Sequence, residues 1–199
     1  MAIKGLHGFK YVKLNKDDEN LFEYDKEIKR LIGARNVKIK PKVDTAELYG
    51  DDQLLETASS LGAIDVEIDV ADLTLEQRSD LLGYKYENGV LIEDKTFNPP
   101  EIAFGFVAPK SNNGERMVWL TKGKMEPLEE EAKTQDGKVA LQTQKVKFKF
   151  MPRIYDGVHK YTADTNTEDA PKEEEFFTVD FLKTGKKVST QLEGNKEKI

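Results

Sequence analysis

Residues 63–70, AIDVEIDV, alternate between apolar and acidic side chains without a break. Ile64, Val66, Ile68 and Val70 fall on one side of an extended chain, and Asp65, Glu67 and Asp69 on the other. Successive side chains of a β-strand point to opposite faces, so this pattern predicts a strand with one buried and one exposed face. Residues 145–150 repeat it with lysine in place of the acids: Val146, Phe148 and Phe150 against Lys145, Lys147 and Lys149. Two strands that each need an apolar cover on one face commit the chain to a sheet packed on a core.

Other short runs rich in β-branched and aromatic residues read as strands: NVKIKPKV (36–43), IAFGFV (102–107), RMVWLTK (116–122), VALQTQ (139–144) and FFTVDF (176–181). Asn88-Gly89, Asn113-Gly114, Asp136-Gly137 and Asp156-Gly157 supply the turn chemistry between them. Val139, Leu141 and Thr143 have the opposite parity from Val146 and Phe148, which predicts a bulge or turn near Gln144. The period changes in DLTLEQRSDLLG (72–83). Thr74 with Gln77 fits a capping box, Leu73, Leu81 and Leu82 share a side, and Gly83 suits a helix stop. The expected fold is mainly β, a sandwich or partial barrel with one flanking α-helix.

A chain of 199 residues is long enough for one well-packed domain. Residues 124–138, KMEPLEEEAKTQDGK, are too charged for a core and read as an extended arm. Residues 1–182 form the expected domain, and 183–199 a polar, flexible tail. With no cysteine, thiol chemistry and thiolate metal sites are excluded. A net charge of −6 opposes binding of nucleic acid by the overall field, though not by a local basic patch. The N-terminus lacks the apolar core of a signal peptide, and no apolar run reaches membrane-spanning length. A soluble protein made in a cytoplasm, with no membrane partner, is the expectation.

One motif demands a decision about catalysis. Tyr49-Gly50-Asp51-Asp52 has the lettering of the metal-binding hairpin of viral RNA polymerases. Two-metal phosphoryl transfer needs carboxylates converging from separate segments, and the preceding NVKIKPKV offers lysines and no acid before Asp44. Gly50, Asp51 and Asp52 therefore read as a surface turn. His7 and His159 are the only histidines, too few for a self-evident metal cluster or triad. His7 reads as a strand-edge or contact residue and His159 as solvent-facing. Glu129, Glu130 and Glu131 read as solvated acids, and no GxSxG, HExxH or P-loop occurs. No catalytic residue, metal ligand or cofactor is expected, and the chain reads as a non-enzyme.

The order of the segments carries more than any single motif. AELYGDD, GAIDVEIDVADLTLEQRSDLLG, PPEIAFGFVAP, ERMVWLTKGKMEPLEEEAKTQDGKVALQTQ and MPR, in that order over residues 1 to 180, strongly resemble the major tail protein, or tail tube protein, of long-tailed bacteriophages. The densest part is Trp119-Leu120-Thr121-Lys122-Gly123-Lys124 followed by Glu129-Glu130-Glu131-Ala132-Lys133-Thr134; Thr121 stands where an aromatic is more usual. The resemblance implies a tail-tube type β-sandwich or partial barrel whose copies form hexameric rings stacked into a virion tail. Its partners would be itself, a tape-measure protein inside the tube, and terminator and distal tail proteins at the ends. Genome DNA would pass through during ejection without specific binding.

In that setting Asp65, Glu67 and Asp69 are candidates to face the lumen, where an acidic wall would repel DNA and let it slide. The lysines at 145, 147 and 149 could instead sit beside them in the sheet and pair with them. Glu126, Pro127, Glu129, Glu130, Glu131 and Lys133 are candidates for an inter-ring arm. The alternative function is a β-sandwich module binding host-surface carbohydrate, which needs an exposed aromatic platform; Trp119, in an alternating strand, reads as core.

Overall fold

The computed structural model describes residues 2–50, 53–130 and 143–187, without the side chains of 48–50, 54 and 55. The chain is mainly β. In order, it forms strands β1 (His7–Asp17), β2 (Phe22–Tyr24), β3 (Lys29–Arg30), β4 (Ala34–Gly50) and β5 (Gln53–Val70). Helix α1 (Leu75–Leu82) and the small hairpin β6 (Lys85–Glu87) and β7 (Val90–Ile92) follow. Then come β8 (Glu101–Pro109), β9 (Glu115–Met125), β10 (Gln144–Met151) and β11 (Lys160–Asp164), and finally α2 (Glu173–Phe176) and α3 (Val179–Thr184).

A nine-stranded antiparallel sheet runs β2-β1-β8-β9-β10-β5-β4, with β3 added to β1 and β11 to β9. It forks at β9, whose Arg116–Leu120 half pairs with β11 and whose Lys122–Met125 half pairs with β10. The fork lets the sheet fold over itself. One core lies between β1, β8 and β9 on one side and β5, β10 and α1 on the other, centred on Phe104, Phe148 and Phe150. A second core covers the reverse face of β8 and β9, where Trp119 and Met117 meet Phe176, Phe177, Phe181 and Leu182. Strand β8 is consequently buried at seven consecutive positions, Ile102 to Ala108, as strands covered on both faces are. Gly105 permits this packing: a Cβ there would meet the Trp119 ring at 2.7 Å and Phe177 at 2.8 Å.

The strands at 63–70 and 145–150 form as expected, with Ile64, Val66, Ile68, Val70, Val146, Phe148 and Phe150 all buried. Helix α1 also forms as read: the Thr74 hydroxyl accepts from the Gln77 N–H at 3.2 Å, the Gln77 side chain accepts from the Thr74 N–H, and Gly83 closes the helix at φ 77°. One expectation fails. FFTVDF is not a strand: Thr178 caps α3 through the Phe181 N–H, and Phe176, Phe181 and Leu182 turn onto Trp119. Helix α3 runs across position 182 and stops at Gly185. The β10–β5 register is unbroken from Gln144 to Phe150, while Val139 and Leu141, whose parity called for a bulge or turn near Gln144, lie outside the described residues. NVKIKPKV and AIDVEIDV are strands as read, and belong to one long hairpin of 17- and 18-residue strands, separated in sequence by Asp51 and Asp52.

Candidate assembly interface

The β4–β5 hairpin has two halves. From Ala34 to Pro41, β4 lies beside the Ile64–Val70 half of β5, which β10 holds on its other edge. From Val43 to Gly50, β4 pairs with Gln53–Leu61, and β5 has no second neighbour there among the described residues. Every side chain described from Lys42 to Leu61 is exposed. The cross-strand pair Val43 and Leu61 are 59% and 47% exposed, so these two apolar residues are not covered by the core. The outer edge of β4 has no partner strand among the described residues. Tyr49 pairs with Leu54 and Gly50 with Gln53, so YGDD occupies the end of the ribbon; Asp51 and Asp52 themselves lie outside the described residues.

On the proximal half, the exposed face is a charged ladder. Glu67 stands between Lys38 and Lys147, and Asp65 between Lys40 and Lys149. Asp69 lies between Asn36 and Lys145, and Lys124 of β9 stands next to Lys149. Lys40 reaches Glu67 at 2.7 Å, Lys42 reaches Asp65 at 2.8 Å, and Asn36 donates to Asp69 at 3.2 Å. The Lys40 hydrogen bond holds the Glu67 carboxyl below its usual range. The three acids thus form no continuous acidic wall: lysines flank Asp65 and Glu67 on both sides and Asp69 on one, as the cross-strand register dictates.

The described part of the 124–138 segment lies against its own fold. The Glu126 N–H donates to the Lys147 carbonyl at 2.8 Å, Glu129 pairs with Lys147 at 2.6 Å, and Leu128 packs on the core. Glu130 pairs with Arg78 of α1, and Pro127 is exposed between them. Glu131 and Lys133 lie outside the described residues.

Sequence reading missed a buried polar cluster that fixes the turn after β10. The Asp17 carboxylate accepts from Lys122 Nζ at 2.6 Å, the Ile154 N–H at 2.8 Å and the Tyr155 N–H at 3.2 Å. Burial alone would raise the Asp17 pKa; the hydrogen bonds from Ile154, Lys122 and Tyr155 outweigh it and hold the carboxyl below its usual value. Arg153, 1% exposed, donates to the Leu182 carbonyl at 2.7 Å and to Tyr161 Oη at 2.8 Å, anchoring α3. Thr121 is buried and donates to the Val158 carbonyl at 2.6 Å; its hydroxyl ties β9 to the same turn. The MPR letters were the one signal of this cluster.

Nothing in these clusters gathers chemistry. No group of three or more His, Asp or Glu side chains suited to a metal occurs among the described residues. His7 opens β1, exposed, 3.6 Å from Glu115. His159 is half-buried, contrary to expectation, because β11 follows directly, and burial lowers its pKa. A cleft of about 300 Å³ between residues 6–9 and 30–34 contains His7 and Arg30 but no carboxylate. Trp119 is fully buried and donates to the Phe176 carbonyl at 3.0 Å, so it offers no sugar platform. No helix among the described residues is long and apolar enough to cross a membrane. No protein-family model matches the chain, and no curated protein matches its sequence.

Proposed function

We propose that the chain is a structural, non-catalytic subunit of a phage tail tube, joining copies of itself in hexameric rings that stack into the conduit for DNA ejection. The observation that carries this reading is the 42–61 ribbon. A two-stranded hairpin is marginal at best in water, and every side chain described in the distal half of this one is exposed. A second copy is the natural cover. The proximal edge of β4 is guarded by Lys38, Lys40, Pro41 and Lys42, residues that discourage strand addition, whereas no lysine, arginine or proline occurs from Val43 to Gln77. The distal edge is therefore the permissive one.

A ribbon that leaves one copy and lands on a different surface of the next makes a heterologous contact, the kind that propagates instead of closing as a dimer. The order of segments resembling tail tube proteins supports the same reading, as does the mainly β fold. Under it, the tape-measure, terminator and distal tail proteins are the further partners and the virion tail the location. Asp65, Glu67 and Asp69 would then contribute a mixed-charge wall to the bore, not an acidic one.

Negative-stain microscopy of the purified chain tests the reading. Rings or tubes are expected at high concentration, and replacing residues 44–60 with a two-residue turn should leave a folded monomer that no longer assembles. A parent chain that stays monomeric with phage tail initiator proteins present, or tubes formed normally by the deletion, would sink it.

A further inference from the structure

We infer that the laddered face of β4, β5, β10 and β9 is a sequence-independent contact surface for the phosphate backbone of duplex nucleic acid. The inference concerns one face of a single subunit and does not require the tube.

Three observations carry it. First, the sign of the charge on this face is opposite to that of the protein. Three lysines on β4, three on β10 and Lys124 on β9 share this face with Asp65, Glu67 and Asp69, with Asp44, Glu126 and Glu129 at the border. Among the described residues the face is thus net positive, in a chain of net charge −6. Second, on the β4 side the positive charges stand outermost. Lysine carries its ammonium at the end of a four-carbon stem, and side-chain exposure follows: Lys42 is 56% exposed against 32% for its partner Asp65, and Lys40 44% against 38% for Glu67. The order reverses only at the border, where Glu129 is 74% exposed against 36% for Lys147. A polyanion approaching over β4 meets ammonium groups before carboxylates. Lys38, Lys124, Lys145 and Lys149 make no ion pair among the described residues.

Third, the strands set the lysines in regular rows, about 6.7 Å apart along a strand and with strands about 4.8 Å apart. None of the paired positions on this face holds an aromatic residue. Single-stranded nucleic acid is gripped by aromatic stacking platforms, and a membrane surface by apolar residues inserted among the charges. A flat array of ammonium groups without either suits a phosphate backbone, which fixes position and carries no sequence information.

The test is fluorescence anisotropy with a labelled 30-base-pair duplex, titrated with the full-length chain between 20 and 200 mM salt. The parent should bind at low salt and weaken by about 100-fold between 50 and 200 mM, as expected for about four phosphates neutralised. Changing Lys38, Lys145 and Lys149 together to Gln should lower affinity at least tenfold and flatten the salt slope. A charge-matched variant with Lys26, Lys85 and Lys95 changed to Gln should stay within twofold of the parent. No binding at 20 mM salt overturns the proposal. So does equal weakening by both variants, or tighter binding to anionic vesicles or to single-stranded DNA than to duplex. Microscopy of the same variants separates the two readings: tubes without duplex binding sink this inference alone, and duplex binding without assembly sinks the tube alone.

Discussion

The pair β8–β9 and the distal half of β4–β5 are both antiparallel ladders, yet they sit at opposite ends of the molecule's energetics. Strand β8 is buried from Ile102 to Ala108 and β9 from Met117 to Gly123, with an apolar cluster on each face. The ribbon beyond Pro41 has backbone pairing, and its described side chains are all exposed. Backbone hydrogen bonds alone contribute modestly, because water offers the same partners; apolar burial separates a structural pair from an arm. Stability should therefore reside in β8–β9 and association in the ribbon, so that mutations in the two regions change different measurements.

The strongest challenge to that division is Phe104→Ala. Phe104 is fully buried and stacks on Phe148 with ring centroids 5.8 Å apart, so its loss should cost about 3–5 kcal/mol in urea unfolding. A smaller cost would mean that the core is not where burial places it. Asp17→Asn comes next, at about 3 kcal/mol, because it leaves Lys122 buried without its principal partner.

Asp17 also sets a pH dependence, together with Asp80. Burial would raise the Asp80 carboxyl, but Lys13, Lys29 and Tyr11 hold it below its usual value. Both carboxyls have folded pKa values depressed below 3.8, so the unfolded chain binds their protons more readily. Their stabilisation is present above about pH 4 and is lost as pH falls through the lower folded values. Acid titrations followed by circular dichroism should show Asp17→Asn losing less stability than the parent below pH 4. A parallel loss in both proteins would contradict the assignment.

Gly105→Ala should cost about 1–3 kcal/mol, by forcing Trp119 or Phe177 from its place. Thr74→Ala, at the α1 cap, should cost about 1 kcal/mol. Leu61→Ser marks the other end of the scale: no measurable change in the urea midpoint, yet slower or absent assembly by light scattering. A destabilised monomer would show that the ribbon contributes to the fold after all, and the contrast between the two regions would collapse.

Some of this was legible in the residues. The period-two runs at 63–70 and 145–150 defined two strands and their buried faces, because a strand has only two sides to choose between. Thr74, Gln77 and Gly83 defined α1, because capping is a local interaction within a few residues. The β4–β5 hairpin was only half legible: its two strands were read separately, and the exposed arm was sought at 124–138. Polar residues at 42–61 do not reveal that they extend a sheet, since that depends on β4 and β5 staying in register beyond the core.

Alternation thus decided, without any structure, that this chain makes a sheet with one apolar and one charged face, and the cap residues placed its first helix. Which charges meet was decided by the tertiary fold: the lysines of β10 come beside Asp65, Glu67 and Asp69 through pairing across about 80 residues of chain. The same is true of Asp17 and Lys122, and of FFTVDF, which becomes helical because Trp119 and its neighbours give those phenylalanines an apolar surface to cover. Local pattern specifies what a segment can bury; only the folded chain specifies what it is buried against.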